Sequence, residues 1–148
     1  MAHDRELTDR ELRTACGEGR MSHQRLRIVR AADGMAGTFT VEELHLSAKR
    51  SVPGLGIATT YRAVTAMASS GTLAVVGERN GRTLYVWCAN DEHHHHIICT
   101  GCGRVAGIHC PLPEDDALVA VKNAGFTVTR HDLTLYGLCD ACRKGGEV

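Results

Sequence analysis

Two Cys-x-x-Cys pairs, Cys99/Cys102 and Cys139/Cys142, limit what this chain can fold into more than any other feature of it. Four deprotonated sulfurs form the ligand set of structural zinc, held tetrahedrally and closed to further ligands. The pairs are separated by 36 residues, so a fold that uses both must bring the chain back beside itself. That interval has room for a strand, a helix and a long strand. The competing readings are a redox pair and plain buried thiols. A thioredoxin-like role needs only one pair, opening a helix after a strand. Zinc deamination needs His-x-Glu followed by Pro-Cys-x-x-Cys, and neither pair follows a proline.

Just before the first pair stand His93, His94, His95 and His96. Side chains alternate faces along a strand, so His94 and His96 point one way and His93 and His95 the other. One run can therefore serve two metal sites, and neutral imidazole accepts zinc, copper, iron or nickel. Cys88 is the nearest soft ligand for the His94/His96 face. Glu114 and His131 are candidates to close the His93/His95 face, although nothing in the local sequence brings them there. A carboxylate such as Glu114 is in any case favoured in the first turn of a helix. His23, His45 and His109 read as ordinary surface or core residues, and Cys16 and Cys110 as free thiols. Seven cysteines with this spacing read as metal binding before disulfide.

Upstream, the pattern is helical. Residues 5–16 form a short amphipathic helix, and Ser22 caps a second helix carrying Leu26, Ile28 and Val29. Thr40 caps a third, with Glu43 at the capping-box position and Leu44 and Leu46 inward. Thr59 or Thr60 opens a fourth, with Tyr61, Val64, Met67 and Ala68 on one face and Gly71 ending it. Two strand-like runs, 73–76 and 83–87, flank the turn Glu78-Arg79-Asn80-Gly81. Short helices followed by a hairpin give the element order of a winged helix, with the fourth helix as the candidate for a major groove. On it, Arg62 is placed to meet phosphate or a guanine edge, positioned by Thr59, Thr60 and Tyr61. Arg20, ahead of the second helix, is a candidate backbone contact.

Past Trp87 the character changes. A polar hinge at residues 90–92 leads into strand-like runs at 95–99, 104–108 and 126–135, with a helix over 114–124. The expected architecture is α+β: a winged-helix domain over residues 1–89 and a small α/β domain over 90–148. The second is short enough to need a metal or a partner for stability. Net charge is zero over 148 residues, but residues 1–90 carry 12 Lys/Arg against 9 Asp/Glu and the remainder 5 against 8. A basic face on the helical half suits a polyanion better than a membrane. No apolar run approaches the ~20 residues that span a bilayer, and the N-terminus lacks a signal-peptide core. The expected location is the cytoplasm.

These motifs together resemble the ferric uptake regulator family of metal-dependent transcription factors. The residues that carry the likeness are MSHQR (21–25), ATTYRAV (58–64), HHHHIICTGCG (93–103), RHDLTLYGLC (130–139) and CDAC (139–142), and it extends over residues 20–142. The resemblance implies a winged-helix domain, a hinge and a dimerisation domain. It also implies homodimers that bind AT-rich inverted repeats of double-stranded DNA when loaded with metal, and no enzymatic activity or small organic substrate. Matched position by position, Cys99, Cys102, Cys139 and Cys142 correspond to a structural zinc site. His93, His95, Glu114 and His131 correspond to a second site, and His94 and His96 to a regulatory site at the hinge. Tyr61 and Arg62 correspond to the DNA-reading helix.

Cys88, directly after the second wing strand, is similar to the zinc-sensing branch, and zinc accepts a Cys/His set readily. Thr38-Phe39 stands where an iron sensor carries histidine, and His95 where a peroxide sensor carries aspartate. Two positions depart from the pattern. Ser22-His23 replaces Thr-Pro at the entry to the second helix, and Ala74 stands where some zinc sensors place an acidic residue. The fourth regulatory ligand is thus left open among Glu78, water and a rearranged side chain. The expected protein is a zinc-responsive repressor. An iron, manganese or peroxide sensor with Fe2+ or Mn2+ at the hinge, and a zinc storage or chaperone protein, are the alternatives.

Overall fold

The computed structural model describes residues 7–16, 21–88, 93–110, 119, 121–129 and 131–145. The chain forms two compact units, Met1–Ala89 and Asn90–Val148.

The first unit opens with four helices: α1 (Asp9–Cys16), α2 (His23–Asp33), α3 (Val41–Lys49) and α4 (Ile57–Ser69). The starts of α2 and α3 have a local cause. Ser22 Oγ accepts from Arg25 N–H at 3.2 Å, capping α2. Thr40 and Glu43 form the full capping box of α3, each side chain answering the other's backbone N–H. The α4 helix begins earlier than its threonines suggest, with Gly56 as N-cap and no side-chain cap.

Behind the helices lie β1 (Leu73–Arg79) and β2 (Arg82–Trp87), an antiparallel hairpin. Its two-residue turn has Asn80 at φ 53° and Gly81 at φ 73°, both left-handed, as a turn matched to the strands' twist requires. Phe39 exchanges both backbone hydrogen bonds with Tyr85, at 2.9 and 2.8 Å, which adds a third short rung to the hairpin. The arrangement is a winged helix.

The core is aliphatic around one ring. Phe39, Ile28, Leu44 and Met67 are fully buried among Val29, Ala32 and Val64. Phe39→Ala is expected to cost about 3–5 kcal/mol, by lost transfer energy plus the cavity left behind, read as a lower urea midpoint at unchanged slope. Two positions leave the faces expected of them. Leu46 is 64% exposed, because two residues along a helix from buried Leu44 is more than half a turn. The inward stripe of α4 is Thr60, Ala63, Val64 and Met67, which turns Tyr61 outward.

The second unit is built on β3 (His94–Cys99), β4 (Val105–His109) and β5 (Thr134–Gly137), closed by α5 (Asp140–Lys144). The sheet order is β4-β3-β5, with β3 antiparallel to β4 and parallel to β5. The long strand expected over 126–135 is instead the short β5; residues 126–129 and 131–133 have no regular structure. The reason is that a parallel partner must be reached by a crossover, and pairing begins only where the chain meets β3 at Thr134↔His96. Residues 119 and 121–123 are helical, and Gly125 follows at φ 81°, a helix-ending conformation. Glu114 lies outside the described residues.

Apolar burial in this unit is thin. Among its described residues only Ile98, Cys99, His95 and His96 are buried, while Phe126 is 71% exposed and Tyr136, Leu138, Val119 and Leu135 lie open beside it in accessibility. A unit of this kind needs a further source of stability.

Candidate metal centres and nucleic-acid face

The sheet closes the long interval between the cysteine pairs. Parallel pairing sets Cys99 of β3 opposite Gly137 of β5, two residues ahead of Cys139, which caps α5. Thr100 N–H to Gly137 O at 2.8 Å fastens the two strand ends. Between Cys99 and Cys102 the backbone turns tightly, with Cys99 N–H to Arg104 O at 2.8 Å and Gly103 N–H to Cys99 O at 2.9 Å. Gly101 is a close fit: a Cβ there would stand 3.0 Å from Cys142 Sγ and 3.1 Å from its Cβ, so Cys142 would have to give way by a few tenths of an ångström.

Cys99, Cys102, Cys139 and Cys142 thus present four sulfurs within 4.8 Å of one another, with Cys102 and Cys139 at 3.8 Å. A tetrahedral ion with Zn–S bonds of about 2.3 Å sets sulfurs about 3.8 Å apart, so the donor set fits. Hydrogen bonding divides the thiols. The backbone N–H groups of Cys139, then Cys102, hold the Cys99 thiol down to about 6. Hydrogen bonds with Cys102, Cys139 and Cys99 push Cys142 up to about 12. A metal bound by all four takes the place of the remaining protons.

On one face of β3, His93, His95 and His131 aim their Nε2 atoms at a common point. The separations are 3.2 Å (His93–His95), 2.9 Å (His93–His131) and 3.1 Å (His95–His131). Zn–N bonds of about 2.0–2.1 Å require edges of about 3.3–3.4 Å, close to those found. Cys110 joins them, its Sγ 3.2 Å from His131 Nε2. The signal for it was in the register. With His94 opposite His109, the next pair outward is His93 and Cys110, and opposed residues share a face. His95 is 2% exposed. Its burial, then His93 and His131, lower its pKa, which keeps the ring neutral and able to ligate. Leu133 N–H donates to His95 Nδ1 at 3.2 Å; a metal bound through Nε2 of the neutral ring would place the ring proton on Nδ1 and end that hydrogen bond.

His94 and His96 lie on the opposite face, ring centroids 4.9 Å apart. Burial, then His94, lowers the His96 pKa. In the first unit, Cys88 N–H donates to Thr72 O at 2.8 Å, and burial pushes the Cys88 thiol up.

On α4, Thr59, Tyr61 and Arg62 lie on the accessible side, Tyr61 at 47% exposure. Thr60 does not join them. It is 0% exposed and its Oγ1 is 2.9 Å from His45 Nδ1, so its hydroxyl serves the core and the expected DNA contact is withdrawn. Tyr61 OH donates to Glu42 Oε1 at 2.9 Å. Glu42 and Glu43 also engage the hairpin arginines Arg82 and Arg79, contacts between α3 and the wing that no local motif announces. Arg20 lies outside the described residues.

No helix among the described residues is long and apolar enough to cross a membrane. The sequence pattern of the Ferric uptake regulator family matches residues 17–136. The Ferric uptake regulation protein of Campylobacter jejuni is 32% identical over 108 residues, 72% of this chain and 68% of that protein. The Zinc uptake regulation protein of Mycobacterium tuberculosis is 29% identical over 125 residues, 84% of this chain and 95% of that protein. Among solved structures, a zinc uptake regulator complexed with zinc and DNA superposes with a TM-score of 0.74 at 25% identity, covering 87% of each chain. A zinc-bound manganese uptake regulator does so at 0.56 and 31% identity, covering 88% of this chain and 97% of that one. A winged helix followed by a sheet unit with clustered thiols and imidazoles, matched over most of its length, makes this chain a member of the ferric uptake regulator family, the metal-responsive transcription regulators that bind DNA.

Proposed function

We infer that the chain is a zinc-responsive transcriptional repressor, acting as a homodimer on AT-rich inverted repeats. The observation that carries the reading is the separation of donors by chemistry. Four sulfurs close one site in the second unit, while His94 and His96 share the other face of β3 and Cys88 stands six positions before His94 in the chain. A divalent ion held by Cys88, His94 and His96 would tie the wing to the sheet unit and fix the angle between the two DNA-binding units of a dimer. A sulfur and two imidazoles suit zinc better than ferrous or manganous ions, which favour more oxygen and nitrogen. The likeness to the Mycobacterium tuberculosis zinc regulator over 95% of its length supports the same metal. Zinc in the four-cysteine site supplies the stability that the second unit's thin core lacks. Its exposed Phe126, Leu135, Tyr136 and Leu138 are the apolar surface that a second copy would cover.

Binding of DNA falls to α4 and the basic hairpin. Arg62 reads or anchors, Tyr61 and Thr59 position, and Arg79 and Arg82 face the flanking backbone. Arg62→Ala is expected to weaken operator binding by about 1–3 kcal/mol without changing thermal stability. Thr60→Val, which removes the hydroxyl facing His45, is expected to do the reverse.

Fluorescence anisotropy on an AT-rich inverted repeat tests the whole reading, with protein that retains only its thiolate-held zinc. Buffered free zinc is expected to trigger tight binding where iron and manganese do not. Binding triggered by iron or manganese instead would leave the family intact and overturn the choice of metal.

A further inference from the structure

The family likeness supplies His93, His95, His131 and the carboxylate of Glu114 for the second metal site, an all-nitrogen-and-oxygen set. The geometry points to a different one: we propose that Cys110 is a ligand of this site, making it a thiolate/tris-imidazole centre for a thiophilic, tetrahedral dication of the zinc class. The proposal rests on reading the three histidines as a metal site, and not on zinc sensing at the hinge.

Three observations carry it. First, placement is imposed by the sheet. Antiparallel pairing runs from Ile98↔Val105 to His94↔His109 without a shift, and Cys110 is the next residue after β4, opposite His93 and on the same face. Second, the Cys110 sulfur reaches the convergence point itself, 3.2 Å from His131 Nε2, whose other neighbours are His93 Nε2 at 2.9 Å and His95 Nε2 at 3.1 Å. All four donor atoms lie within 4.8 Å of one another. Third, Cys110 is in no disulfide, so no covalent bond takes up its sulfur.

The consequence is a change of selectivity. Four donors, one of them a soft sulfur, fill the coordination sphere of zinc or cobalt(II). Ions that prefer six hard ligands, such as manganese, lose by the same substitution. Loading forms one metal–sulfur bond and breaks the Cys110 S–H bond, the proton leaving to water.

Cobalt(II) titration of the full-length chain reads this directly. The background is Cys88→Ser, with zinc retained in the four-cysteine site and checked by metal content after the titration. Cobalt is expected to bind with a near-ultraviolet sulfur-to-cobalt charge-transfer band and the intense visible bands of a tetrahedral ion. Adding Cys110→Ser is expected to abolish the charge-transfer band and lower cobalt affinity by at least about tenfold, the least that losing even an outer-shell partner costs. A band unchanged by Cys110→Ser, or weak six-coordinate spectra from the start, overturns the thiolate ligand and leaves the histidine site standing. Binding that His131→Ala does not alter overturns both.

A second measurement needs no cysteine variant. Zinc is expected to slow alkylation of Cys110 by iodoacetamide at least about tenfold in the wild-type chain, mapped by peptide mass spectrometry, and His131→Ala is expected to remove the protection. Equal alkylation rates with and without zinc overturn the proposal.

Discussion

Replacing Cys99 by serine is expected to cost the second unit its fold while leaving the winged helix standing. The tetrad is the only cluster in which every donor is sulfur among the described residues, and around it just a few side chains are buried. Structural zinc in small domains is worth on the order of 10 kcal/mol of folding free energy, comparable to the whole stability of an ordinary domain. With Cys99 gone, three thiols remain, and the backbone N–H of Cys139 that now points at Cys99 Sγ at 3.3 Å meets a serine oxygen on a shorter bond. The expected result is loss of one tightly held zinc by metal analysis and loss of strand signal by circular dichroism. Sedimentation should show the monomer. The first unit, whose core is separate, should still unfold cooperatively. An intact dimer lacking that zinc would refute the structural role.

Replacing Cys88 by serine is expected to do the opposite: fold and dimer intact, regulation lost. Cys88 is already desolvated, and serine keeps its size while offering a poor ligand for zinc. Metal and DNA assist one another only through the free energy that couples their sites. A coupling of about 3 kcal/mol corresponds to a switch of roughly 150-fold, and Cys88→Ser is expected to collapse most of that ratio. The readout is operator affinity at high against low buffered zinc, with thermal stability as the control. A variant that responds to zinc like wild type would remove Cys88 from the hinge site. The two substitutions together separate a sulfur that holds the fold from one that reports on the metal.

The local signals proved sound where the cause was local. Ser22 and the Thr40/Glu43 box cap their helices, and Asn80-Gly81 turns the wing, because each depends on a few neighbouring dihedrals and hydrogen bonds. Periodicity misled where one residue's phase decided the outcome. Leu46, expected inward beside Leu44, lies outward, and Tyr61 does not share the buried face of Val64 and Met67; on a helix, each residue turns the side chain by about 100°. The strand expected over 126–135 failed for a different reason. Its residues are suited to a strand, but no partner is beside them until Thr134, and a strand needs a partner.

By itself the sequence determined the helices and wing of the first unit, the family and the kinds of ligand: four cysteines at Cys-x-x-Cys spacing, and histidines sorted onto two faces by the strand's two-residue period. Only the tertiary structure decided which distant residues complete each set. His131 arrives through parallel pairing of β5 with β3, and Cys110 through the register of β4 against β3. Thr60 left the DNA face because His45, from another helix, meets its hydroxyl in the core. Spacing along a chain constrains neighbours within a turn or a strand, whereas a metal site is a meeting of points far apart in sequence, and strand register fixes where they meet.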